Sequence, residues 1–237
     1  MSAKVIFRGI KAANLKYNMI TTGDRIAVGV SGGKDSLVLL FALELLKKYS
    51  PLYFETVPIT VDLGWGADWS GVTGYCESLR LEHHIVPTQI GPLIFRERKE
   101  ENPCALCANL RSGSLHRKAV ELGCGKVALA HHLDDAVVTL MMSMMFEGQY
   151  RTFRPVTYLS RMDITIIRPL IYVEEKTVAE QAASLKLPVM PSLCPVTGLT
   201  NRERVKEFLS QLEARYPYSK RRMLKAMENV DPNSFWD

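Results

Sequence analysis

The chain opens with apolar residues at helical spacing. Val5, Ile6, Ile10, Ala13, Leu15 and Ile20 recur among Lys4, Arg8, Lys11 and Lys16, which predicts an amphipathic helix over residues 3–20. A turn at Thr21–Asp24 follows, and the period then changes. Arg25 to Val30 is a short apolar run with glycines at its borders, the pattern of a buried strand. From there, runs of strand length alternate with segments of helical period. Strands are expected at 25–30, 53–63, 84–89, 126–130 and 164–167, and helices at 37–46, 69–81, 109–122 and 134–146. The last helix is apolar almost all round and rich in methionine, which places it centrally. Residues 94–101 form a charged lead-in to Pro103. Beyond Val173 only helical periodicity remains, at 174–185, about 200–215 and about 218–229. This alternation predicts an α/β fold, a Rossmann-like parallel sheet with helices on both faces plus C-terminal helices. Such sheets bind ligands beyond the C-terminal ends of their strands. The expected organisation is an N-terminal helix over 1–24, a nucleotide-binding domain over 25–172 and a helical extension over 173–237.

Composition narrows the class. Of 237 residues, 47% are hydrophobic and 23% charged, ordinary for a globular protein and unlike a disordered one. The apolar runs fall short of the roughly 18 residues of a membrane span. The basic residues of the N-terminus interrupt any signal-peptide core. A cytoplasmic protein without membrane contact is therefore expected. The net charge of +5 permits a polyanionic partner without demanding one. The basic residues are uneven. Residues 200–225 hold Arg202, Arg204, Lys206, Arg215, Lys220, Arg221, Arg222 and Lys225 against Glu203, Glu207 and Glu213. Arg151, Arg154 and Arg161 are interleaved with Tyr150, Phe153 and Tyr158. Either cluster suits phosphate contact and base stacking, or a solvated surface.

Three groups of residues carry candidate chemistry. The first is Gly29-Val30-Ser31-Gly32-Gly33-Lys34-Asp35-Ser36, between the first strand and its helix. Adjacent glycines let the backbone turn tightly and approach a ligand. The helix that follows points its positive end at the same place. Ser31 and Ser36 add hydroxyls and Lys34 a point charge. The loop lacks the spacing of a Walker A or a dinucleotide motif. The second group is His131-His132-Leu133-Asp134-Asp135, leaving the fourth strand. Adjacent histidines on an extended segment face opposite ways and should not share a metal. Asp134 or Asp135 could hold Mg²⁺ on phosphates, or complement a helix N-terminus. Asp62 and Arg168 end two other strands. The third group is cysteine. An odd count of five without an export signal argues against disulfides. Cys76 and Cys124 are read as small core residues. Cys104 and Cys107 form a C-x-x-C, open among zinc, redox and iron–sulfur roles. With Cys194 they make three thiolates, a set suited to a [4Fe-4S] cluster with one iron left open for a sulfur atom.

Ser31-Gly32-Gly33-Lys34-Asp35-Ser36 resembles the signature of the PP-loop ATP pyrophosphatases, which activate a carbonyl oxygen by transferring AMP to it. The resemblance implies that Ser31, Gly32, Gly33, Asp35 and Ser36 bind ATP, with Lys34 near the departing pyrophosphate. It also implies that Asp62 and His131 lie by the nucleotide and that Lys34, Asp35 and Asp134 serve the reaction. H-H-x-D-D and Arg168-Pro169-Leu170 resemble the tRNA-modifying branch. Adding the C-x-x-C, Arg111, Gly113 and Cys194, residues 14–230 resemble the tRNA 2-thiocytidine synthetase family. Cys194 stands in Pro191-Ser192-Leu193-Cys194, where that family often has a second C-x-x-C. The resemblance implies a dimeric cytoplasmic enzyme with a [4Fe-4S] cluster on Cys104, Cys107 and Cys194. It would use ATP and Mg²⁺ to adenylate a cytosine C2 oxygen of tRNA. Sulfur from a donor such as a cysteine desulfurase or free sulfide would then replace that oxygen. Two alternatives stay open: a PP-loop enzyme acting on a small molecule or free base, and a non-catalytic ATP-binding iron–sulfur sensor.

Overall fold

The computed structural model describes residues 2–98, 103–196, 198, 200–231 and 233. Among these, one six-stranded sheet has the order β3-β2-β1-β4-β6-β5. Its strands are β1 Arg25–Gly29, β2 Glu55–Asp62, β3 His84–Pro87, β4 Lys126–Ala128, β5 Val156–Leu159 and β6 Ile164–Ile167. The five expected strands all form and run parallel, with Ala27 level with Val57 on one side and Val127 on the other. The sixth, β5, is an antiparallel edge paired with β6. Its Val-Thr-Tyr-Leu run sits among arginines and a proline, and its partner is the next strand in sequence, through a short turn.

The helices are α1 Ser2–Tyr17, α2 Lys34–Tyr49, α3 Ser70–Ser78, α4 Ile90–Pro92, α5 Pro103–Glu121, α6 Leu133–Met142, α7 Glu175–Ser184, α8 Asn201–Arg215 and α9 Ser219–Glu228. A π-helical turn extends α4 over Leu93–Arg98, and another extends α6 over Ser143–Glu147. Of the charged lead-in, residues 99–101 lie outside the described residues. Alternating side chains of β1 divide the core. Ile26 and Val28 point to α2 and α6, and Ala27 to Leu115 and Ala119 of α5. Helices thus cover both faces. The larger cluster runs from Ile6 and Ile10 of α1 through α2 to Val205, Leu209 and Leu224 of α8 and α9.

Two boundaries differ from the sequence pattern. The first helix stops at Tyr17 because Asn18 takes a left-handed φ of 47°. The Asn14 side chain closes that end, accepting from the Ile20 amide at 2.7 Å. More consequential is α5, which starts at Pro103 rather than at residue 109. Proline suits the first helical turn, where its missing N–H is not needed. Cys104 and Cys107 therefore sit on a helix, not ahead of one.

The strand order reverses between β1 and β4, so the crevice of this sheet lies beyond the C-terminal ends of those two strands. The glycine loop leaves β1 there and His131–Asp135 leaves β4. The first element of that crevice, α2, is buried from Ser36 through Leu40 and again at Ala42, Leu43 and Leu46. Leu39→Ala, at a fully buried position, is expected to cost about 2–5 kcal/mol, measured as a lower midpoint in urea unfolding.

Candidate active site

A cavity of about 750 Å³ occupies the crevice, within the usual size range of a small-molecule site. Ser31, Gly33, Asp35 and Ser36 form its end at the glycine loop. Gly32 has φ +77°, and a Cβ there would lie 2.8 Å from Met190 Sδ and 3.2 Å from the Trp69 ring. Only glycine fits both the dihedral and the space. The Met190 amide donates to the Gly32 carbonyl at 2.9 Å. Ser36 Oγ accepts from the Ser31 amide at 3.1 Å and donates to the Gly33 carbonyl at 2.9 Å. Gly33, the N-cap of α2, supplies no side chain to the first-turn N–H groups. Those donors and the helix dipole are left for an anion.

Lys34 does not line the cavity. Its ammonium sits 2.8 Å from Glu175 and 3.0 Å from Asp35 Oδ1. Although burial opposes the charged form, the Glu175 hydrogen bond and both carboxylates hold its pKa above the usual lysine value. Asp35 Oδ1 is shielded from solvent and makes no hydrogen bond. Asp62 also contributes no wall. Its Oδ1 accepts from the Gly64 amide at 3.0 Å and its carbonyl from Thr88, so it shapes the turn after β2.

The two histidines diverge as an extended segment requires. His131 faces the cavity. His132 is buried and caps α6, Nδ1 accepting from the Asp135 amide while Asp135 Oδ2 accepts from the His132 amide at 3.0 Å. Arg168 Nε donates to His131 Nδ1 at 3.1 Å, and Phe153 stacks on both. Burial first, then the Arg168 charge, pushes His131 down to about 4, so it is neutral at neutral pH. Burial lowers Arg168 to about 10.

The acidic pair is divided as well. Asp135 lines the cavity. Although burial works against it, His132 and Arg202 hold its pKa below the usual carboxylate value. Asp134 faces the other way, and both its oxygens are engaged. Oδ1 accepts from Lys220 of α9 at 2.7 Å and Oδ2 from the Glu175 amide at 2.7 Å. These bonds make Asp134 a strut between α6, α7 and α9. Of the two aspartates expected as alternatives for Mg²⁺, Asp135 is the one that lines the cavity, its oxygens accepting from Arg202 and from the His132 amide. Part of the C-terminal basic cluster is spent in the same way. Arg202 bonds to Asp135, Lys206 lies 3.4 Å from Glu175, and Arg221 bonds to Glu174. Arg204, Arg215, Arg222 and Lys225 stay exposed.

Cys76 and Cys124 are buried, and burial raises both thiols, Cys76 to about 11. The other three are exposed or half-buried. Burial raises the Cys107 thiol, the charges of Cys194 and Cys104 raise it further, and Arg111 opposes them. Cys104 and Cys194 are thus among the groups whose charges reach the Cys107 thiol. Among the described residues, no group of three or more His, Cys, Asp or Glu closes around a metal position. Along α5, Ala108, Arg111, Ser112, Leu115 and His116 form one wall of the cavity. Cys104 precedes Ala108 by four residues and Cys107 precedes Arg111 by four, so the thiols top that wall. Cys194 follows Met190, which is bonded to the loop, by four residues. Sequence reasoning named Arg111 only within a motif and Arg202 only within a basic cluster, and it missed Ala108, Ser112, Leu115 and His116 of α5 as well as Trp69 and Met190. A helix begun at Pro103 would have put 104, 108, 111 and 115 on one face.

The family model of the PP-loop domain matches residues 8–190. A tRNA-cytidine(32) 2-sulfurtransferase of Geobacter sulfurreducens is 38% identical over 238 residues, covering 99% of this chain and 93% of that protein. One from Pelobacter propionicus is 38% identical over 225 residues, covering 93% and 84%. Among solved structures, the U34-tRNA thiolase NcsA from Methanococcus maripaludis, with its [4Fe-4S] cluster, superposes with a TM-score of 0.80. It is 26% identical, and the match covers 96% of this chain and 78% of that one.

Two groups make the site acid-sensitive. Burial alone would raise Glu175, but Lys34 and Lys206 pull it down to about 2 from the ordinary 4.5. A depressed carboxylate contributes its stability above the unfolded value and loses it as pH falls toward the folded one. His131, held at about 4 against 6.5, acts in the same direction, because the unfolded chain takes up the proton first. Thermal stability should decline from pH 6.5 to 4, and again from 4.5 toward 2. Glu175→Gln should lower Tm at pH 7 and flatten the second decline, as read by scanning calorimetry across pH.

Proposed function

The chain belongs to the PP-loop domain family, among the relatives that include the tRNA-cytidine(32) 2-sulfurtransferases, and from that membership we propose that it thiolates a cytidine of tRNA at C2 with ATP. The observation that carries this is a convergence at one end of the sheet. A loop with free amide donors and a cavity meet where the strand order reverses, and one wall of that cavity is helix α5, which carries Cys104 and Cys107 in its first turns. A PP-loop ligase needs the loop and the cavity but has no use for the thiols.

In the proposed reaction the ATP phosphates rest on residues 31–36, where the first-turn N–H groups of α2 and the Ser31 and Ser36 hydroxyls receive them. Asp35 and Asp135, the two cavity-lining carboxylates, would hold Mg²⁺, which favours carboxylate and phosphate oxygens. Asp35 Oδ1, ion-paired with Lys34 at 3.0 Å, would turn to the cation as Lys34 moves to phosphate. Lys34 reaches the departing pyrophosphate by exchanging Glu175 for phosphate. The base's C2 oxygen attacks the α-phosphorus, the bond to the β-phosphate oxygen breaks, and pyrophosphate leaves. The C2 oxygen has then become part of an AMP leaving group. Hydrosulfide-level sulfur bonds to C2 and AMP departs. The chain's contribution is placement and charge stabilisation. Arg168 and neutral His131 present fixed donors at the cavity without adding a mobile proton.

Cys104, Cys107 and Cys194 would hold a [4Fe-4S] cluster, and the all-thiol donor set with Arg111 beside it to offset negative charge fits that group. When bound, it supplies an iron position for the incoming sulfur. The sulfur donor is a cysteine desulfurase or free sulfide, and the enzyme is a cytoplasmic homodimer. Among the described residues, no helix is long and apolar enough to cross a membrane. The RNA backbone meets Arg151, Arg154 and Arg161 and the exposed remainder of the C-terminal basic cluster.

The test is a nucleoside profile of tRNA from a deletion strain, read by mass spectrometry. Loss of one 2-thiolated cytidine is expected, and an unchanged profile would favour a small-molecule acceptor. In protein purified without oxygen, Cys194→Ser should lose its iron and its sulfur transfer yet bind ATP as before. Full retention of iron would remove Cys194 from the ligand set. Gly32→Ala should weaken ATP binding by about tenfold or more, since it displaces Met190 and strains the loop, as read by calorimetric titration.

A further inference from the structure

The cavity has two arms about the glycine loop. One runs over β2 to Ile59 and Val61, and the other over β4, β6 and β5 to Leu129, Ile166, Thr157 and Leu159. The second arm exists because α5 lies to one side, packing mainly on β2 with lesser contact to β1, β3 and β4. The inner faces of β6 and β5 are left as its floor. Into this arm α5 turns His116. Ser114, Arg117, Lys118 and Glu121 line a groove on the β3 side of the same helix. At about 100° per residue, His116 and Ser112 project from the opposite flank, toward β4 and β6. His116 Nε2 is shielded from solvent and has no hydrogen-bond partner. Leu115, Leu129 and Ile166 around the arm offer it none. A buried polar atom left unpaired is destabilising, so its presence calls for a ligand atom that pairs with it. Burial also keeps the imidazole neutral at neutral pH, leaving one N–H and one lone pair on the ring.

We propose that this second arm is the acceptor-base site, and that His116 Nε2 hydrogen-bonds the Watson–Crick edge of the cytosine held there. The proposal rests on the sulfur-transfer activity above and deepens it. An apolar slot with few polar groups is what a flipped-out base requires. Phe153 stands where β4 and β6 end, against His131 and Arg168, and gives the slot an aromatic face. The Arg151–Arg154 segment that carries Phe153 is the basic surface from which RNA would deliver the base. ATP then keeps the β2 arm for its adenosine, and the loop between the arms brings the α-phosphorus to the C2 oxygen. His116 is in this assignment a specificity residue that touches the substrate.

The experiment uses the full chain with its cluster. ATP affinity and sulfur transfer to an anticodon stem-loop RNA are measured for wild type, His116→Ala and His116→Gln. His116→Ala should lower kcat/KM for the RNA by about tenfold or more while leaving ATP affinity unchanged. His116→Gln, which keeps a donor and an acceptor at similar reach, should recover part of the loss. In wild type, the His116 imidazole nitrogen resonances should move on adding cytidine 5′-monophosphate and stay in place with a non-hydrolysable ATP analogue alone. Equal losses of ATP affinity and RNA turnover in His116→Ala would overturn the proposal, as would wild-type rates in both variants or a response of His116 to the ATP analogue alone. If the wild-type protein transfers no sulfur to RNA, the parent activity fails, and the resonance measurement still decides the pocket.

Discussion

The site depends on the hydrogen bond from the Met190 amide to the Gly32 carbonyl. It ties a segment distant in sequence to the apex of the glycine loop, and it forms only because Gly32 takes a positive φ with no side chain in the way. Once it forms, Cys194 is four residues beyond a bond to the loop, and its charge reaches the Cys107 thiol of α5. The hydrogen bond acts together with the packing of Met190 against the core, and the two hold residues 188–196 to the glycine loop between α7 and α8.

Charge closes the same assembly from the other side. Asp134, Asp135 and Glu175 stand near a loop intended for a polyanion, and unpaired they would repel it. Lys220, Arg202, Lys206 and Lys34 neutralise them in the folded chain. The bridges are partly buried, where a lost partner is costly. They also latch α8 and α9 to the active end of the sheet. A basic stretch that composition alone would assign wholly to RNA is thus divided. Some of its residues complete the site, and the exposed rest form the outer surface.

The fold was legible where periodicity was strong. The runs around Ile26–Val28, Thr56–Val61 and Ile164–Ile167 read as strands because both faces of each are covered. Strand β5 was not legible. As an edge with one open face it has no continuous apolar run, and its pairing depends on a neighbour formed after it. In the site, the glycine loop and His131–Asp135 were readable as motifs, and the thiols as a set. Which carboxylate faced the cavity was not readable. Asp134 and Asp135 are adjacent and chemically alike, and only the reach of Lys220 and the Glu175 amide separates them. Asp62 shows the same limit, since a strand-end aspartate serves a ligand or its own turn according to where Gly64 and Thr88 place their donors.

Helix α5 holds the remaining logic of the site. Its first turn carries Cys104 and Cys107, its next turns carry Arg111 and Ser112, and Leu115 and His116 lie below them. At about 1.5 Å per residue, Cys107 and His116 stand about 14 Å apart along the axis. A rigid helix fixes that separation better than a loop could. The two thiols are thereby held at a fixed spacing from His116, which lines the cavity together with the glycine loop. A base inserted edge-first toward His116 keeps its glycosidic side toward the mouth, where the RNA backbone stays in solvent. The starting residue of α5, set by Pro103, therefore fixes how far the thiols stand from His116.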